Sequence, residues 1–175
     1  MLKKKSAYVL PVVVLLFLSL FTSASTVGNR VKAEDSKKIQ QQTVYIHKLQ
    51  SKHGKLSLTA DEINWYQGAD ADRIFAERDP EGAAELGGAP DGYYIVNDID
   101  TLTAYPIADN ATITMQLYDH TGNMADLDIH WNESITLQQF IDQFKKTDVI
   151  DLSQFPYHLT IEDGVVTSIV QQYVP

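Results

Sequence analysis

Five histidines, His47, His53, His120, His130 and His158, are the residues of this chain best suited to proton transfer or metal binding. None stands in His-x-x-x-His or His-Glu-x-x-His, the spacings that place two imidazoles on one helix face. There is no cysteine, which removes disulfides, thiolate metal sites, a cysteine nucleophile and a lipid-bearing cysteine together. A zinc site would need histidine and carboxylate alone. No Gly-x-Ser-x-Gly elbow occurs, and no Ser-x-x-Lys opens a helix. Gly87-Gly88 is no phosphate cradle, because neither Lys-Ser/Thr nor a helix pattern follows it. Asp70 and Asp72 read as the acidic start of a helix. Asn97-Asp98-Ile99-Asp100 and Asp126-x-Asp128 offer hard oxygen ligands but do not match a calcium loop, and read as turns and strand ends. The residues therefore predict no catalytic group, no metal and no cofactor.

What remains is aromatic and amide. Tyr66, Asn97, Trp131 and Asn132 fall near predicted strand ends. Aromatic faces beside amides suit sugars or peptides, so these four are the expected binding residues.

The elements that would position them follow from periodicity. Asp91 to Asp98 is the densest strand signal, apolar on both faces, and reads as the central strand. Thr43–Leu49 and the alternating Leu56, Leu58, Ala60, Ile63 and Trp65 form a hairpin around Ser51-Lys52-His53-Gly54. Gly68 to Arg78 reads as a short helix with an Ala71, Ile74, Phe75 stripe, and the Gly- and Pro-rich stretch 79–90 as a loop. Ala111, Ile113, Met115 and Leu117 alternate cleanly, and Leu127, Ile129 and Trp131 suggest another strand. Thr136 and Gln139 make a capping box ahead of Leu137, Phe140, Ile141 and Phe144 at helical spacing. Asp163-Gly164 is a two-residue turn between two final strands. An unbroken register from that turn sets Tyr157 against Val170 and points Tyr157, Leu159, Ile161, Val166 and Val170 inward, with His158 outside.

The N-terminus carries an address. Lys3-Lys4-Lys5 precedes an apolar run from Ala7 to Phe21, broken only by Ser19 and shorter than the roughly 20 residues a spanning helix needs. Small residues Thr22-Ser23-Ala24-Ser25 follow, as in a secretory signal peptide. An uncleaved run would instead act as an N-terminal membrane anchor. The expected organisation is a signal peptide over 1–33, a polar linker over 34–42, and a single β-rich domain over 43–175. Residues 1–33 hold five of the 14 basic residues and none of the 23 acidic ones, leaving nine against 23, a net of −14. A surface of that sign repels phosphate backbones and anionic lipid, so nucleic acid is not an expected partner and membrane contact is expected only through the signal segment.

Several segments carry a resemblance. Trp65-Tyr66-x-Gly68 leading into an acidic helix, Asp91-Gly92-Tyr93-Tyr94-Ile95-Val96-Asn97-Asp98, Pro106-Ile107-Ala108, and Pro156 to Gly164 with the close Gln171-Gln172-Tyr173-Val174-Pro175 resemble a group of exported Gram-positive proteins and lipoproteins. The likeness covers roughly residues 43–175. It implies location and a shared domain, not an activity. The chain lacks the lipobox cysteine of the lipoprotein members, so lipid retention does not carry over.

The order hairpin, helix and loop, strands, helix, hairpin is similar to small OB-type barrels, which place a helix between strands three and four. The expected fold is mainly β with two short helices, a small OB-like antiparallel barrel. The alternative is an open antiparallel α+β sheet with a helix on one face. The expected function is a secreted or cell-wall-associated non-catalytic domain that binds a small ligand, wall polymer or protein partner. The alternative is an extracellular hydrolase using carboxylates with His130 or His158. Cell fractionation and N-terminal sequencing test the location. The protein is expected in medium or wall, starting between Ser25 and Glu34, and an intact Met1 in the membrane fraction contradicts it.

Overall fold

In the computed structural model, residues 37–99 and 101–175 are described; the predicted signal peptide and its cleavage region lie outside them. The first hairpin forms as its pattern requires. Strands β1 (Ile39–Lys52) and β2 (Lys55–Gln67) pair antiparallel around His53-Gly54, both at positive φ. β1 begins at Ile39, inside the stretch expected to be linker, because Ile39–Gln42 pair with Glu162–Leu159 of a later strand. Polar residues suit that first turn of the strand, which is largely exposed.

Five strands close a barrel in the order β1, β2, β4 (Leu102–Met115), β7 (Val165–Gln171), β6 (Pro156–Glu162) and back to β1. Helix α3 (Leu137–Phe144) lies between the third and fourth barrel strands in sequence, so the strand order and helix position are OB-type. The expected all-antiparallel pairing is corrected at one place: β4 and β7 run parallel. A closed ring of five strands cannot alternate direction throughout, and the odd number forces one parallel pair.

The core is the inside of this ring. Val44, Ile46, Leu58, Ala60, Ile107, Ile113, Met115, Leu159, Ile161, Val166 and Ile169 are all buried. α3 starts at the predicted capping box, with Thr136 Oγ1 accepting from Gln139 N–H and Gln139 Oε1 accepting from Thr136 N–H. It lays Phe140, fully buried, edge-on against Tyr157 at 5.9 Å between ring centroids. The Tyr157 hydroxyl is satisfied by the Leu152 carbonyl at 2.9 Å.

Two bulges set which residues face inward. His47 is the extra residue in β1, so the inward set runs Val44, Ile46 and then Leu49. Thr167 is the extra residue in β7, and it overturns the predicted register. Tyr157 opposes Gln171, not Val170, and the inward residues are Val166, Ile169 and Gln171. Unbroken alternation cannot anticipate a bulge, because the inserted residue flips every position after it.

The predicted central strand is corrected to an edge. Among the described residues β3 (Tyr93–Val96) pairs only with the far end of β2, outside the ring. Its two apolar faces have local partners: Tyr93 stacks on Trp65 at 4.6 Å, and Tyr94 lies 5.4 Å from Phe75 of helix α1 (Gly68–Arg78). The loop expected over 79–90 contains helix α2 (Pro80–Leu86), so the described residues hold three short α-helices where two were expected. Its start was in the sequence: Asp79 caps Gly82 N–H at 2.9 Å, and Pro80 sits where its missing N–H costs nothing. The strand expected over 127–131 is absent; β5 (Glu133–Ile135) instead takes the edge of β4. No helix among the described residues is long and apolar enough to cross a membrane.

Phe140→Ala is expected to cost about 3–5 kcal/mol, the range for truncating a fully buried aromatic. A urea transition measures it, and a loss below about 1 kcal/mol would place α3 at the periphery.

Candidate functional site

Because the Thr167 bulge turns Gln171 inward, a buried amide sits where β4 ends. Gln171 Oε1 accepts from Gln116 N–H and Leu117 N–H, both at 2.8 Å, and its Nε2 donates to the Leu117 carbonyl at 2.9 Å. The chain thus leaves the sheet without orphaning its backbone groups. Gln116 then staples the returning arm of the loop. Its Oε1 accepts from Asn132 N–H at 2.8 Å, its Nε2 donates to Asn132 Oδ1 at 3.3 Å, and its carbonyl accepts from His130 N–H at 2.8 Å. Asn132 takes a left-handed conformation, φ 57°, which Asn tolerates better than most residues. On the outgoing arm Asp119, itself buried, accepts from Thr121 N–H at 3.1 Å and closes the turn.

The two arms bring four side chains together. The Tyr118 hydroxyl donates to Glu133 Oε1 at 2.7 Å. His120 Nε2 lies 3.0 Å and His130 Nδ1 3.9 Å from Glu133 Oε2. The Tyr118 and His120 rings are 3.9 Å apart between centroids, and the His120 and His130 rings 4.6 Å. The histidine and glutamate side chains remain partly open to solvent. Burial, then the neighbouring Glu133 carboxylate, pushes the Tyr118 hydroxyl up to about 12. Burial pushes the Glu133 carboxyl up, but the hydrogen bonds from Tyr118 and His120 and the charges of both histidines outweigh it, leaving the group below its ordinary value. One nitrogen from each histidine and one Glu133 oxygen all lie within 4.8 Å of one another, a donor set that two imidazoles and a carboxylate can offer to a metal.

Of the four predicted binding residues, the structure brings two to this loop. Trp131 is 64% exposed and meets Tyr173 edge-on at 5.4 Å. Asn132 is the staple residue. Tyr66 and Asn97 lie elsewhere, beyond the Leu102 end of β4, whereas the loop springs from its Met115 end. Tyr66 opposes Tyr94 in the β2–β3 pair, and Asn97 donates to buried Asp61 at 2.6 Å beside a polar cleft of about 350 Å³ that also carries Tyr45, His47, Ser153 and Gln154. The four are two groups, not one site.

His158 is held on the outer barrel face, with Nδ1 3.0 Å from Thr43 Oγ1 and Nε2 3.0 Å from Gln172 Oε1. His120 is one of the five candidate histidines, but neither it nor Glu133 stands at a spacing that places ligands on one helix face, so the sequence pattern does not join them. The usable signal was different: His120, His130 and Glu133 flank Thr121-Gly122-Asn123, turn residues that fold one segment back on itself. Comparison with protein-family models, with curated proteins and with solved structures found no match to this chain.

The ionisable pair makes stability pH-dependent at both ends. The Tyr118 contribution is complete below its unfolded value of 10.0 and is lost as pH rises toward about 12. The Glu133 contribution is complete above 4.5 and is lost as pH falls through its lowered folded value. Urea midpoints against pH should show Tyr118→Phe flattening the alkaline limb and Glu133→Gln the acid limb. Limbs identical to the unsubstituted protein would mean the contact is not kept in solution.

Proposed function

We propose that this chain is an exported, non-catalytic binding domain of a Gram-positive cell, at work in the medium or at the wall, and that the loop between β4 and β5 is where it meets its ligand. One observation carries the reading. Trp131 presents an open ring on a loop that Gln116 and Gln171 hold by side-chain hydrogen bonds, with Tyr173 supporting its edge. A large aromatic left in water costs hydration free energy that a contact would recover, and a rigid ring loses little entropy on binding. Such a face suits the uncharged sugar rings of a wall polymer or a short peptide. The net of −14 outside the first 33 residues disfavours polyanions, nucleic acid included.

The hydrolase reading has less support. Tyr118, His120, His130 and Glu133 converge, yet no serine or threonine hydroxyl hydrogen-bonds His120 or His130 among the described residues. Thr43 does reach His158, but the group behind that imidazole is the neutral amide of Gln172, which cannot stabilise an imidazolium as a carboxylate does. Backbone N–H groups of β1 and β6 at this point lie in strands paired on both sides and are not offered to an oxyanion.

Soluble wall-glycan fragments titrated by isothermal calorimetry test the reading. Trp131→Ala is expected to weaken binding by at least about tenfold, the 1.4 kcal/mol that one aromatic contact supplies. Its thermal midpoint should stay within about 2 °C, as for a surface substitution. A Trp131→Ala protein that binds as tightly as the original overturns the reading, and one that unfolds makes Trp131 structural.

A further inference from the structure

We propose that His120, His130 and Glu133 form a binding site for a divalent first-row transition ion of the zinc class. The proposal goes beyond the aromatic-rim reading and does not depend on it. His120 Nε2, His130 Nδ1 and Glu133 Oε2 are the converging atoms, 3.0 and 3.9 Å apart in the two histidine–carboxylate pairs and within 4.8 Å throughout. Bonds of about 2.1 Å in tetrahedral geometry place neighbouring ligand atoms roughly 3.4 Å apart. The two measured histidine–carboxylate distances bracket that value. Small rotations of two partly exposed imidazoles close the rest.

A hydrogen-bonded ion pair holds His120 on Glu133 Oε2. His130 Nδ1 approaches the same oxygen at 3.9 Å, within ion-pair range but too long for a hydrogen bond, so this carboxylate oxygen gathers two imidazoles and satisfies one. Two imidazoles converging on one carboxylate oxygen repel each other when both are protonated. An ion at the centre takes the place of the proton between His120 and Glu133, which leaves to solvent from an imidazolium or is exchanged for one on Nδ1 in a neutral ring, and gives both nitrogens a partner.

The surroundings have the form of a metal site's support. Tyr118 occupies Glu133 Oε1 and leaves Oε2 to the two histidines, and its ring packs on His120. Such outer hydrogen bonds orient ligands and raise affinity. The Gln116 staple and the left-handed Asn132 fix the three-residue reach between His130 and Glu133. Two neutral imidazoles and one carboxylate select zinc, copper, nickel or cobalt over calcium and magnesium, which prefer oxygen alone. Three protein ligands leave at least one coordination position for water or a donor atom of a ligand.

Calorimetric titration of the untagged full chain with zinc chloride tests the proposal, with magnesium and calcium chloride run in parallel. One zinc per chain is expected, with no heat from magnesium or calcium. His120→Asn and His130→Asn should each weaken zinc binding at least about tenfold, and Tyr118→Phe by about tenfold, the usual effect of an outer-shell partner. His53→Asn, at an exposed turn position that Asn tolerates, should bind as the original does. Should a variant fail to fold, cobalt(II) added to the unsubstituted protein supplies the second readout: visible bands of a four- or five-coordinate ion and paramagnetic shifts at the His120 and His130 rings. No zinc binding, binding untouched by both histidine substitutions, or shifts at other histidines would overturn the proposal. Glycan binding measured in chelator keeps its outcome separate from the aromatic-rim reading.

Discussion

Ring closure through β4 is the constraint on which the rest of the molecule depends. Leu102–Pro106 of this strand pair with β2, while Ile107–Thr114 pair with β7. One 14-residue strand therefore joins the two hairpins that the local sequence specifies. Without it the sheet would end in two exposed edges, each able to recruit another chain. With it the apolar faces of five strands turn toward one another and the core forms. The parallel contact between β4 and β7 is the geometric cost of an odd-stranded ring, and β6 and β7 reach it because the α3 crossover returns the chain to the β1 edge before the last hairpin begins.

The candidate site is a consequence of that closure at one remove. β7 reaches β4 with a bulge at Thr167, which sends Gln171 to the inside. A buried primary amide needs partners, and it finds them in the backbone of Gln116 and Leu117 just as β4 runs out. Gln116 passes the order on to His130 and Asn132. A loop of this length would otherwise sample many shapes, and its histidines would meet only transiently. Two glutamines thus turn a flexible connection into a positioned one, and the charges at its tip follow.

The β2–β4 insertion is built on separate terms. Its aromatic contacts, Trp65 with Tyr93 and Phe75 with Tyr94, are its own, and the bidentate Arg78–Asp98 pair at 2.8 and 2.7 Å ties α1 to the chain beyond β3. That pair is exposed, so it sets geometry more than it adds stability. Asp72, which read as helix-start chemistry, accepts from Ala89 N–H at 2.8 Å and fixes the chain after α2. The barrel ring closes without any of these residues.

Local features of the fold were legible because their causes are local. The His53-Gly54 and Asp163-Gly164 turns, the Thr136–Gln139 capping box and the Phe140 stripe each depend on residues within one turn of each other, and all formed as read. The OB-like order of strands and helix followed from those elements in sequence. Tyr93 to Val96 misled because an apolar strand has the same composition whether a sheet or a single helix covers it, and only tertiary contacts say which. The bulge at Thr167 left no mark in the alternation, since one added residue changes facing without changing residue types. The convergence of His120, His130 and Glu133, and the separation of Tyr66 and Asn97 from Trp131 and Asn132, were decided by which end of β4 each segment joins. Strand pairing between residues far apart in the chain makes that choice, and neither spacing nor composition encodes it.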